Sequence, residues 1–430
     1  VTATDIAGNT ATSSGEFTVD NVTPTLTGDL DIASDSGVLG DNITNVQTPV
    51  FSGLGEKGTE VELTIAGQTY TSIVDQSGNW SIPVTTALSP TNHPYVLETT
   101  DLAGNKSELT GAITIDTTTE ISGGLSSASD SGDSQTDQIT NIQTMTFDGS
   151  GEVGATITLS LNNQSYSAVV DASGNWNIAV GTALSEDTYS YSLEAEDIAG
   201  NKDIVSGVVT IDVTAPSPFN GGLDSATDSG TSNTDGITNN KQPIFTGAGE
   251  EGATVQLNIG GTSYSTVVEN GTWAIVVATN LNDGPQAYTV VASDIAGNTV
   301  TRSGSITIDT AISLSGGLAP SSDTGVSSSD GLTSDNLPMF SGSGEAGATI
   351  NLTINNETYM TTVDIDGNWA VDVTDVLSDG LHAYNIVSTD IAGNTTNLTG
   401  SMNVDTGTEL SVSLATSSDS GTSSDDAITN

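Results

Sequence analysis

The chain has 430 residues, and its 54 Asp and Glu residues against 5 Lys and Arg give a formal net charge of -49 at pH 7. Proteins that bind nucleic acids or anionic membrane surfaces depend on Lys and Arg, so this balance excludes nucleic acids as partners and disfavours anionic membrane surfaces. The absence of Cys excludes disulfides, thiol catalysis and Cys-ligated metals. No apolar stretch reaches the roughly 20 residues that cross a bilayer, so we expect no membrane insertion in this segment.

An internal repeat organises the whole chain. The pentapeptide Asp-Ile/Leu-Ala-Gly-Asn recurs at intervals of 96, 96, 97 and 96 residues, and a Trp recurs at 96, 97 and 96. A period of this length matches a small domain and is too long for one coil of a solenoid. The pentapeptides begin at Asp5, Asp101, Asp197, Asp294 and Asp390, and the tryptophans are Trp80, Trp176, Trp273 and Trp369.

The repeat divides the chain into four complete units and two fragments. Because the fragments lack most of the strands of a unit, we expect the sequence to be an excerpt from a longer protein. The predicted boundaries are 1–21 for the end of a preceding repeat, 22–117, 118–213, 214–310 and 311–406 for repeats 1 to 4, and 407–430 for the start of a following repeat.

Within a unit, apolar residues alternate with polar ones, which is the period of half-buried strands. Seven short strands separated by Gly- and Asn-rich turns are typical of an immunoglobulin-like sandwich, here without the disulfide of antibody domains. We therefore predict an all-β fold, a tandem array of seven-stranded immunoglobulin-like β-sandwiches arranged head to tail as a rod. In repeat 1 the predicted strands, lettered A to G in chain order, begin near Leu26, Phe51, Val61, Tyr70, Trp80, Tyr95 and Gly111.

The repeating aromatic residues are interpreted as core residues, because apolar periodicity indicates a core more often than a ligand site. Tyr95 and its equivalents open strand F, where related sandwiches place a Tyr that bonds back to the chain.

Strand direction assigns the acidic residues to the two ends of each sandwich. The A–B loop and the end of strand G share one end, whereas the B–C turn and the F–G loop share the other. In a head-to-tail array, Asp116 at the end of repeat 1 is therefore expected near Glu152 and Asp197 of repeat 2. The equivalent triplets are Asp20, Glu56 and Asp101; Asp212, Glu250 and Asp294; and Asp309, Glu345 and Asp390, while Asp405 ends repeat 4.

Three converging carboxylates repel one another unless a cation lies between them. Ca²⁺ accepts six to eight oxygen ligands in flexible geometry, whereas Mg²⁺ demands a strict octahedron. The mixture of Asp, Glu, Asn and Gly turns favours Ca²⁺, and the triplets predict calcium sites at the linkers. The alternative is that the Asp of each pentapeptide only caps a turn in which Gly and Asn adopt left-handed dihedrals.

A second candidate calcium site lies within each A–B loop. It consists of two Asp residues, which lie six residues apart in repeat 1 and seven apart elsewhere. The regular acidic ladder and closing Glu of an EF-hand are missing. The pair either binds one ion or belongs to a solvated loop. The pairs are Asp35 and Asp41, Asp130 and Asp137, Asp228 and Asp235, Asp323 and Asp330, and Asp419 and Asp426.

Catalytic patterns are missing from the sequence. His93 and His382 are the only histidines, and they occupy comparable positions in just two repeats. There is no nucleophile elbow, His-rich cluster or phosphate loop, so we expect no enzymatic activity.

The combined motifs carry a family resemblance over the whole chain. Asp-Ser/Thr-Gly, Asp-x-Ile/Leu-Thr-Asn/Ser, Gly-Glu-x-Gly, Gly-Asn-Trp and Asp-Ile/Leu-Ala-Gly-Asn together resemble the bacterial Ig-like repeats of giant type I secreted adhesins of the RTX and biofilm-associated kinds. Repeat 3 departs from the pattern at Gly271-Thr272-Trp273 and at Glu250-Glu251. The resemblance implies Ca²⁺ at inter-repeat linkers, which maps onto the predicted triplets.

The resemblance further implies an extender region at a bacterial cell surface that projects a ligand-binding module for adhesion and biofilm formation. The expected partners are the neighbouring repeats of the same chain, and the adhesive ligand is expected to bind elsewhere in the full protein. The alternative is that the repeats themselves bind glycan or self-associate into an extracellular filament.

Overall fold

The computed structural model describes residues 1–415, 417–418 and 423. Short strands account for all the regular secondary structure of these residues, and none of them forms a helix that could cross a membrane. The first two strands, β1 (Thr2–Thr4) and β2 (Thr10–Thr12), form an antiparallel hairpin around the first pentapeptide. The chain divides into two compact units, residues 1–214 with 295–298 and residues 215–294 with 299–430.

Each repeat contains eight strands, which we letter A, A′, B, C, D, E, F and G. In repeat 1 they are β3 (Leu26–Leu30), β4 (Ile43–Thr44), β5 (Val50–Gly55), β6 (Glu60–Ile65), β7 (Gln68–Ile73), β8 (Asn79–Pro83), β9 (Asn92–Thr100) and β10 (Lys106–Ile115). In repeat 2 they are β11 (Ile121–Leu125), β12 (Ile139–Thr140), β13 (Thr146–Gly151), β14 (Thr156–Leu161), β15 (Gln164–Val169), β16 (Asn175–Ala179), β17 (Asp187–Glu196) and β18 (Lys202–Ile211).

The same order recurs in the second half of the chain. In repeat 3 the strands are β19 (Gly222–Leu223), β20 (Ile237–Thr238), β21 (Ile244–Ala248), β22 (Thr254–Ile259), β23 (Thr262–Val267), β24 (Thr272–Val276), β25 (Gly284–Ser293) and β26 (Thr299–Ile308). In repeat 4 they are β27 (Leu314–Leu318), β28 (Leu332–Thr333), β29 (Met339–Gly344), β30 (Thr349–Ile354), β31 (Glu357–Thr362), β32 (Asn368–Asp372), β33 (Gly380–Thr389) and β34 (Thr395–Val404).

Two sheets face each other in every repeat, with strand orders A–B–E and A′–G–F–C–D. All neighbours are antiparallel except A′, which runs parallel to G, so that Ile43 lies opposite Thr114. The seven expected strands are present, and the prediction of tandem immunoglobulin-like sandwiches is confirmed. The short strand A′ is an addition. It carries the A–B loop from one sheet to the other and fixes that loop beside the end of strand G.

Each sandwich has its own hydrophobic core between the two sheets. In repeat 1, Val61, Leu63 and Ile65 of strand C are buried, as their alternation predicts. Trp80 is also buried, and its indole N–H donates to the Thr27 carbonyl at 3.1 Å. A Cβ on Gly28 would lie 2.0 Å from the Trp80 ring, so the ring requires Gly at that position of strand A.

Tyr95 joins the core of repeat 1 to strand A. Strand F begins at Asn92, so the expectation that Tyr95 opens this strand is wrong, because the pairing with strand G continues before the Tyr. The ring of Tyr95 packs edge-on against Phe51, with centroids 4.8 Å apart. Its hydroxyl donates to the Asp29 side chain, at Oδ1, at 2.7 Å, and the equivalent Tyr191 donates to Gln138 Oε1 at 3.2 Å. Both bonds end on side chains, whereas related sandwiches bond this Tyr to the backbone. Burial raises the pKa of Tyr95 well above its usual value, and the Asp29 carboxylate adds to this rise. The interpretation of the repeating aromatic residues as core residues is confirmed.

At one core position of strand F in repeat 4, we predict that a substitution stabilises the repeat. Ser388 is fully buried, and its hydroxyl has no hydrogen-bond partner, whereas Ala195 and Ala292 stand at the equivalent positions. Because an unsatisfied buried hydroxyl costs about 1–3 kcal/mol, we expect Ser388→Ala to raise the free energy of unfolding of repeat 4 by about 1 kcal/mol. Urea unfolding and calorimetry of the full chain measure this change in the free energy of unfolding.

The matched control is the equivalent residue of repeat 1. Thr99 donates its hydroxyl to the Glu60 carbonyl at 2.8 Å, so Thr99→Val removes a satisfied hydroxyl while keeping the side-chain shape. We expect Thr99→Val to destabilise its repeat. An equal effect of the two substitutions would contradict the assignment of Ser388 as unsatisfied.

Candidate metal centres at the ends of the repeats

The linker between consecutive repeats begins with an Asp that the sandwich holds firmly. The backbone N–H of Asp116 donates to the Thr44 carbonyl of strand A′ at 3.0 Å, directly after the last residue of strand G. The Asp116 carboxylate accepts the N–H of Thr118 at 3.2 Å. Strand A′ and a short turn thus position this carboxylate at the start of the linker.

The F–G loop supplies the second component of the site. In repeat 2, Asp197 accepts the backbone N–H of Asn201 on Oδ1 and its side-chain amide on Oδ2, both at 2.8 Å. The same amide donates to the Asp116 carbonyl at 3.0 Å, which binds the loop of repeat 2 to the end of repeat 1. Asn394 makes the equivalent bonds with Asp390 and the Asp309 carbonyl, each at 2.8 Å.

The sequence did not reveal this role of the Asn. The pentapeptide suggested a turn in which Gly and Asn are both left-handed, but Gly200 (φ +84°) takes that conformation and Asn201 is not among the residues with positive φ. The recurrence of Asn at the end of every pentapeptide was the available signal. A local pattern does not reveal a bond between residues 85 positions apart.

The structure brings two of the predicted triplets together. Their carboxylate oxygens lie within 4.8 Å of one another, and in each triplet the F–G Asp is buried while the other two acids are half-buried. The triplets are Asp116, Glu152 and Asp197 in one compact unit, and Asp309, Glu345 and Asp390 in the other. We call these the linker sites.

The electrostatics of the linker sites reflect this crowding. Burial raises the pKa of Glu152. The Thr119 side chain opposes this rise, and repulsion from Asp116 and Asp197 adds to it. Burial and then repulsion from Asp309 and Asp390 raise the pKa of Glu345. Oxygen-only donors with excess negative charge are the ligand set of a hard divalent cation, so the residues fit Ca²⁺.

The first predicted triplet does not converge in this way. Among the described residues, Asp20, Glu56 and Asp101 do not form a group within the same distance. Asp20 and Glu56 are exposed, whereas Asp101 is buried. The Asn105 side chain, together with backbone amides, holds the pKa of Asp101 below its usual value. Asn105 also donates to the Asp20 carbonyl at 3.3 Å, so the connection to the preceding linker is kept.

The remaining linker residues occupy equivalent places within their own units. Asp212 accepts the N–H of Thr214 at 3.0 Å, and Asp405 accepts that of Gly407 at 3.2 Å. Glu250 accepts the N–H of Ser217 at 2.9 Å, and Asp294 is buried. Since Asp212 belongs to one compact unit and its two predicted partners to the other, this triplet stays a prediction.

The A–B loops contain a second set of buried carboxylates. The first Asp of each described pair is at most 6% exposed, and one oxygen accepts a backbone N–H of the loop. The other oxygen, Oδ1, is buried and has no hydrogen-bond partner in any of the four repeats. These residues are Asp35, Asp130, Asp228 and Asp323. We call these carboxylates, with the second Asp of each loop, the loop sites.

The second Asp of each loop is exposed and lies two residues before strand A′. Its Oδ1 accepts the N–H two residues ahead, at 2.9–3.1 Å. These residues are Asp41, Asp137, Asp235 and Asp330, whereas Asp419 and Asp426 lie outside the described residues. In repeat 2, burial raises the pKa of Asp130. The backbone N–H of Gln138 opposes this rise, and the nearby Asp137 carboxylate adds to it.

A buried carboxylate oxygen without a partner is costly, because the charged group has lost its hydration. The same unpaired oxygen at the same position of four repeats is therefore a structural feature that a cation would stabilise. Its carboxylate oxygen donors fit Ca²⁺. The sequence left open the alternative that the loop is fully solvated. The burial of the first Asp argues against that alternative.

Three comparisons with known proteins place the chain. The family model described as bacterial Ig-like domain matches residues 22–117, 118–213, 214–310 and 312–406. No curated protein matches the chain at a significant level. The chain is similar to several solved structures of tandem-repeat proteins.

Three of these structures come from adhesins. One is a Ca²⁺-stabilised adhesin with which an Antarctic bacterium binds ice, at 28% identity over 89% of this chain and 99% of that chain, with a TM-score of 0.30. Another is the tetra-tandem repeat in the extending region of a large adhesion protein, at 19% identity over 88% and 99%, with a TM-score of 0.32. The third is a 1.5-MDa bacterial ice-binding adhesin, at 25% identity over 66% and 97%, with a TM-score of 0.27.

The family match covers four consecutive segments that together span most of the sequence. The matched segments contain the eight-stranded sandwiches described above, each with its own core. The chain is therefore a tandem array of four members of the bacterial Ig-like domain family.

Proposed function

We propose that this segment is the structural extender region of a large bacterial surface adhesin, in which Ca²⁺ bound at the ends of the repeats stiffens the array. The segment projects a ligand-binding module that lies elsewhere in the full protein and that mediates adhesion and biofilm formation. Type I secretion of an RTX-type protein is the export route that agrees with the motif pattern. The tandem sandwiches of the bacterial Ig-like family and the acidic composition support an extracellular array.

The observation that carries this proposal is the convergence of carboxylates from two repeats at one linker. Asp116 comes from the end of repeat 1, whereas Glu152 and Asp197 come from repeat 2. An ion held by all three restrains the angle between the two sandwiches. Because the ion binds only when the three groups are together, it stabilises the aligned arrangement by mass action.

The concentration range of calcium gives the proposal its direction. Extracellular calcium modules have dissociation constants of about 10⁻⁴–10⁻³ M, so such sites stay unloaded in the cytosol and fill outside the cell. The array is then flexible during export and stiff afterwards. Partial neutralisation of the net charge of -49 leaves a soluble, self-repelling surface.

A structural role also agrees with the placement of the groups that enzymes and lectins use. Both histidines are buried, and each bonds a backbone carbonyl, Ser89 at 2.8 Å for His93 and Ser378 at 2.6 Å for His382. The four Trp side chains are 3% exposed, so their faces are closed to a sugar ring. We therefore favour the extender role over catalysis and over glycan binding by the repeats.

Calcium titration of the full chain tests the proposal. We expect isothermal titration calorimetry to show saturable Ca²⁺ binding, and small-angle scattering to show a maximum dimension that increases with calcium. Each repeat should add roughly 30–45 Å, from the strand rise and a short linker. A chelator should shorten the maximum dimension, and Mg²⁺ at the same concentration is the control. An unchanged scattering curve with and without calcium would refute the extender mechanism.

A further inference from the structure

A direct contact joins the A–B loop of one repeat to the F–G loop of the next within each compact unit. The Ser36 hydroxyl donates to the Ala199 carbonyl at 2.5 Å, and the N–H of Val38 donates to the Ile198 carbonyl at 3.0 Å. In repeats 3 and 4, Ser229 donates to the Ala392 carbonyl at 2.6 Å. We call residues 198–200 of the F–G loop the tip of repeat 2. The contact between residues 36–38 and this tip, and the equivalent contact in the other compact unit, is called the loop–tip contact.

Close backbone approach explains the Gly of the Asp-Ser-Gly motif at this contact. A Cβ on Gly37 would lie 2.1 Å from the Ile198 carbonyl oxygen, and one on Gly230 would lie 1.9 Å from the Ile391 carbonyl oxygen. The equivalent Gly325 of repeat 4 has open space around its Cβ position. The motif thus presents a flat backbone surface and one hydroxyl donor to the tip of the next repeat.

The contact lies between the two kinds of carboxylate site. Asp35, with its unpaired buried oxygen, directly precedes Ser36 in the loop. Asp197, a member of the linker site, directly precedes Ile198 in the tip. Inside the loop, the Ser36 oxygen accepts the N–H of Asn45 at 2.8 Å, so the Ser that reaches the tip is also held by the end of strand A′.

This arrangement connects the conformation of the loop to the position of the tip. An ion at Asp35 and Asp41 holds the loop in the shape that presents residues 36–38. The docked loop in turn holds the tip, and with it Asp197, beside the linker. Two sites that favour the same arrangement must each raise the affinity of the other, because coupling free energies are reciprocal.

We propose that calcium binding at the loop site of one repeat and at the linker site that follows it is cooperative, and that the loop–tip contact carries the coupling. This inference rests on the proposed function, because it requires that both sites bind Ca²⁺. It adds that the Asp-Ser-Gly motif is the docking surface of the junction, and that its partner is the pentapeptide tip of the next repeat.

The test uses the full chain with ¹³C-methyl-labelled Ala and follows calcium titrations by NMR. Ala155 is buried three residues after Glu152, so its methyl signal reports the linker site from a position outside the A–B loop. Two variants weaken the coupling by different routes. Asp35→Asn removes the loop carboxylate charge, and Gly37→Ala obstructs the contact without changing a carboxylate.

We expect both variants to raise the calcium midpoint reported by Ala155 at least about fivefold, the lower end of typical couplings. Asp323→Asn and Gly325→Ala make the same changes in the A–B loop of repeat 4 and should leave the Ala155 midpoint unchanged. A native Ala155 signal at saturating calcium shows that a variant is folded.

The possible failures are distinguishable. If Ala155 of the unsubstituted chain does not respond to calcium, the linker site and the proposed function fall together with this inference. If it responds with the same midpoint in all four variants, calcium binding stands and the coupling is refuted. If Asp35→Asn raises the midpoint and Gly37→Ala does not, the loop–tip contact is not the route.

Discussion

Chelation of calcium is expected to lower the melting temperature of the full chain by about 10–20 °C. A site with calcium at 100 times its dissociation constant contributes about 2.7 kcal/mol. In a domain of this size, 1 kcal/mol corresponds to about 4–8 °C. The dissociation constant already includes the relief of repulsion among the linker-site carboxylates, so this repulsion adds no separate contribution.

Differential scanning calorimetry in calcium and in chelator measures this shift. Because the ion acts by mass action, the melting temperature should rise with the logarithm of the calcium concentration above the dissociation constant. Adding Mg²⁺ to the chelated chain separates specific binding from general screening of the negative charge. A melting temperature that follows ionic strength and not calcium would contradict specific sites.

Glu152→Gln is expected to change the stability of its junction with opposite sign in calcium and in chelator. In calcium, loss of one charged ligand weakens the linker site, so the junction loses up to about 2.7 kcal/mol of binding stabilisation at 100 times the dissociation constant. In chelator, the same substitution removes one of three converging negative charges, so the stability rises. The same scanning calorimetry, run under both conditions, measures the two shifts.

Glu56→Gln provides the matched control. Glu56 occupies the same position of repeat 1, but it is exposed and does not belong to a converging group among the described residues. We expect this substitution to leave the melting temperature nearly unchanged under both conditions. If Glu152→Gln shifted it in the same direction with and without calcium, Glu152 would act through packing and not as a ligand.

The arrangement of elements within a repeat was predictable because the signals are local. Alternation along Val61, Leu63 and Ile65 identifies a half-buried strand wherever the neighbouring strands lie. The recurrence of Trp80 at one position in every unit identifies the domain length. Strand A′ was missed because two residues, Ile43 and Thr44, are too few to show an alternation.

The linker sites were predictable in part. Strand direction placed Asp116 near Glu152 and Asp197, because parity determines the end of a sandwich at which a loop emerges. The same argument applied equally to Asp20, Glu56 and Asp101, yet those three do not converge among the described residues. Parity gives the end of the sandwich, whereas the separation of carboxylates depends on side-chain and linker geometry.

The sequence by itself therefore determined the sandwich class, the length of the repeat and the residue types at each end, since these depend on spacing along the chain. Only the tertiary structure decided which carboxylates meet, that one Asp35 oxygen is buried without a partner, and that Ser36 docks on Ala199. Ser36 and Ala199 are 163 positions apart, and burial is a property of the packed loop. No local pattern encodes a distance of that kind, because it depends on how two separately folded sandwiches meet.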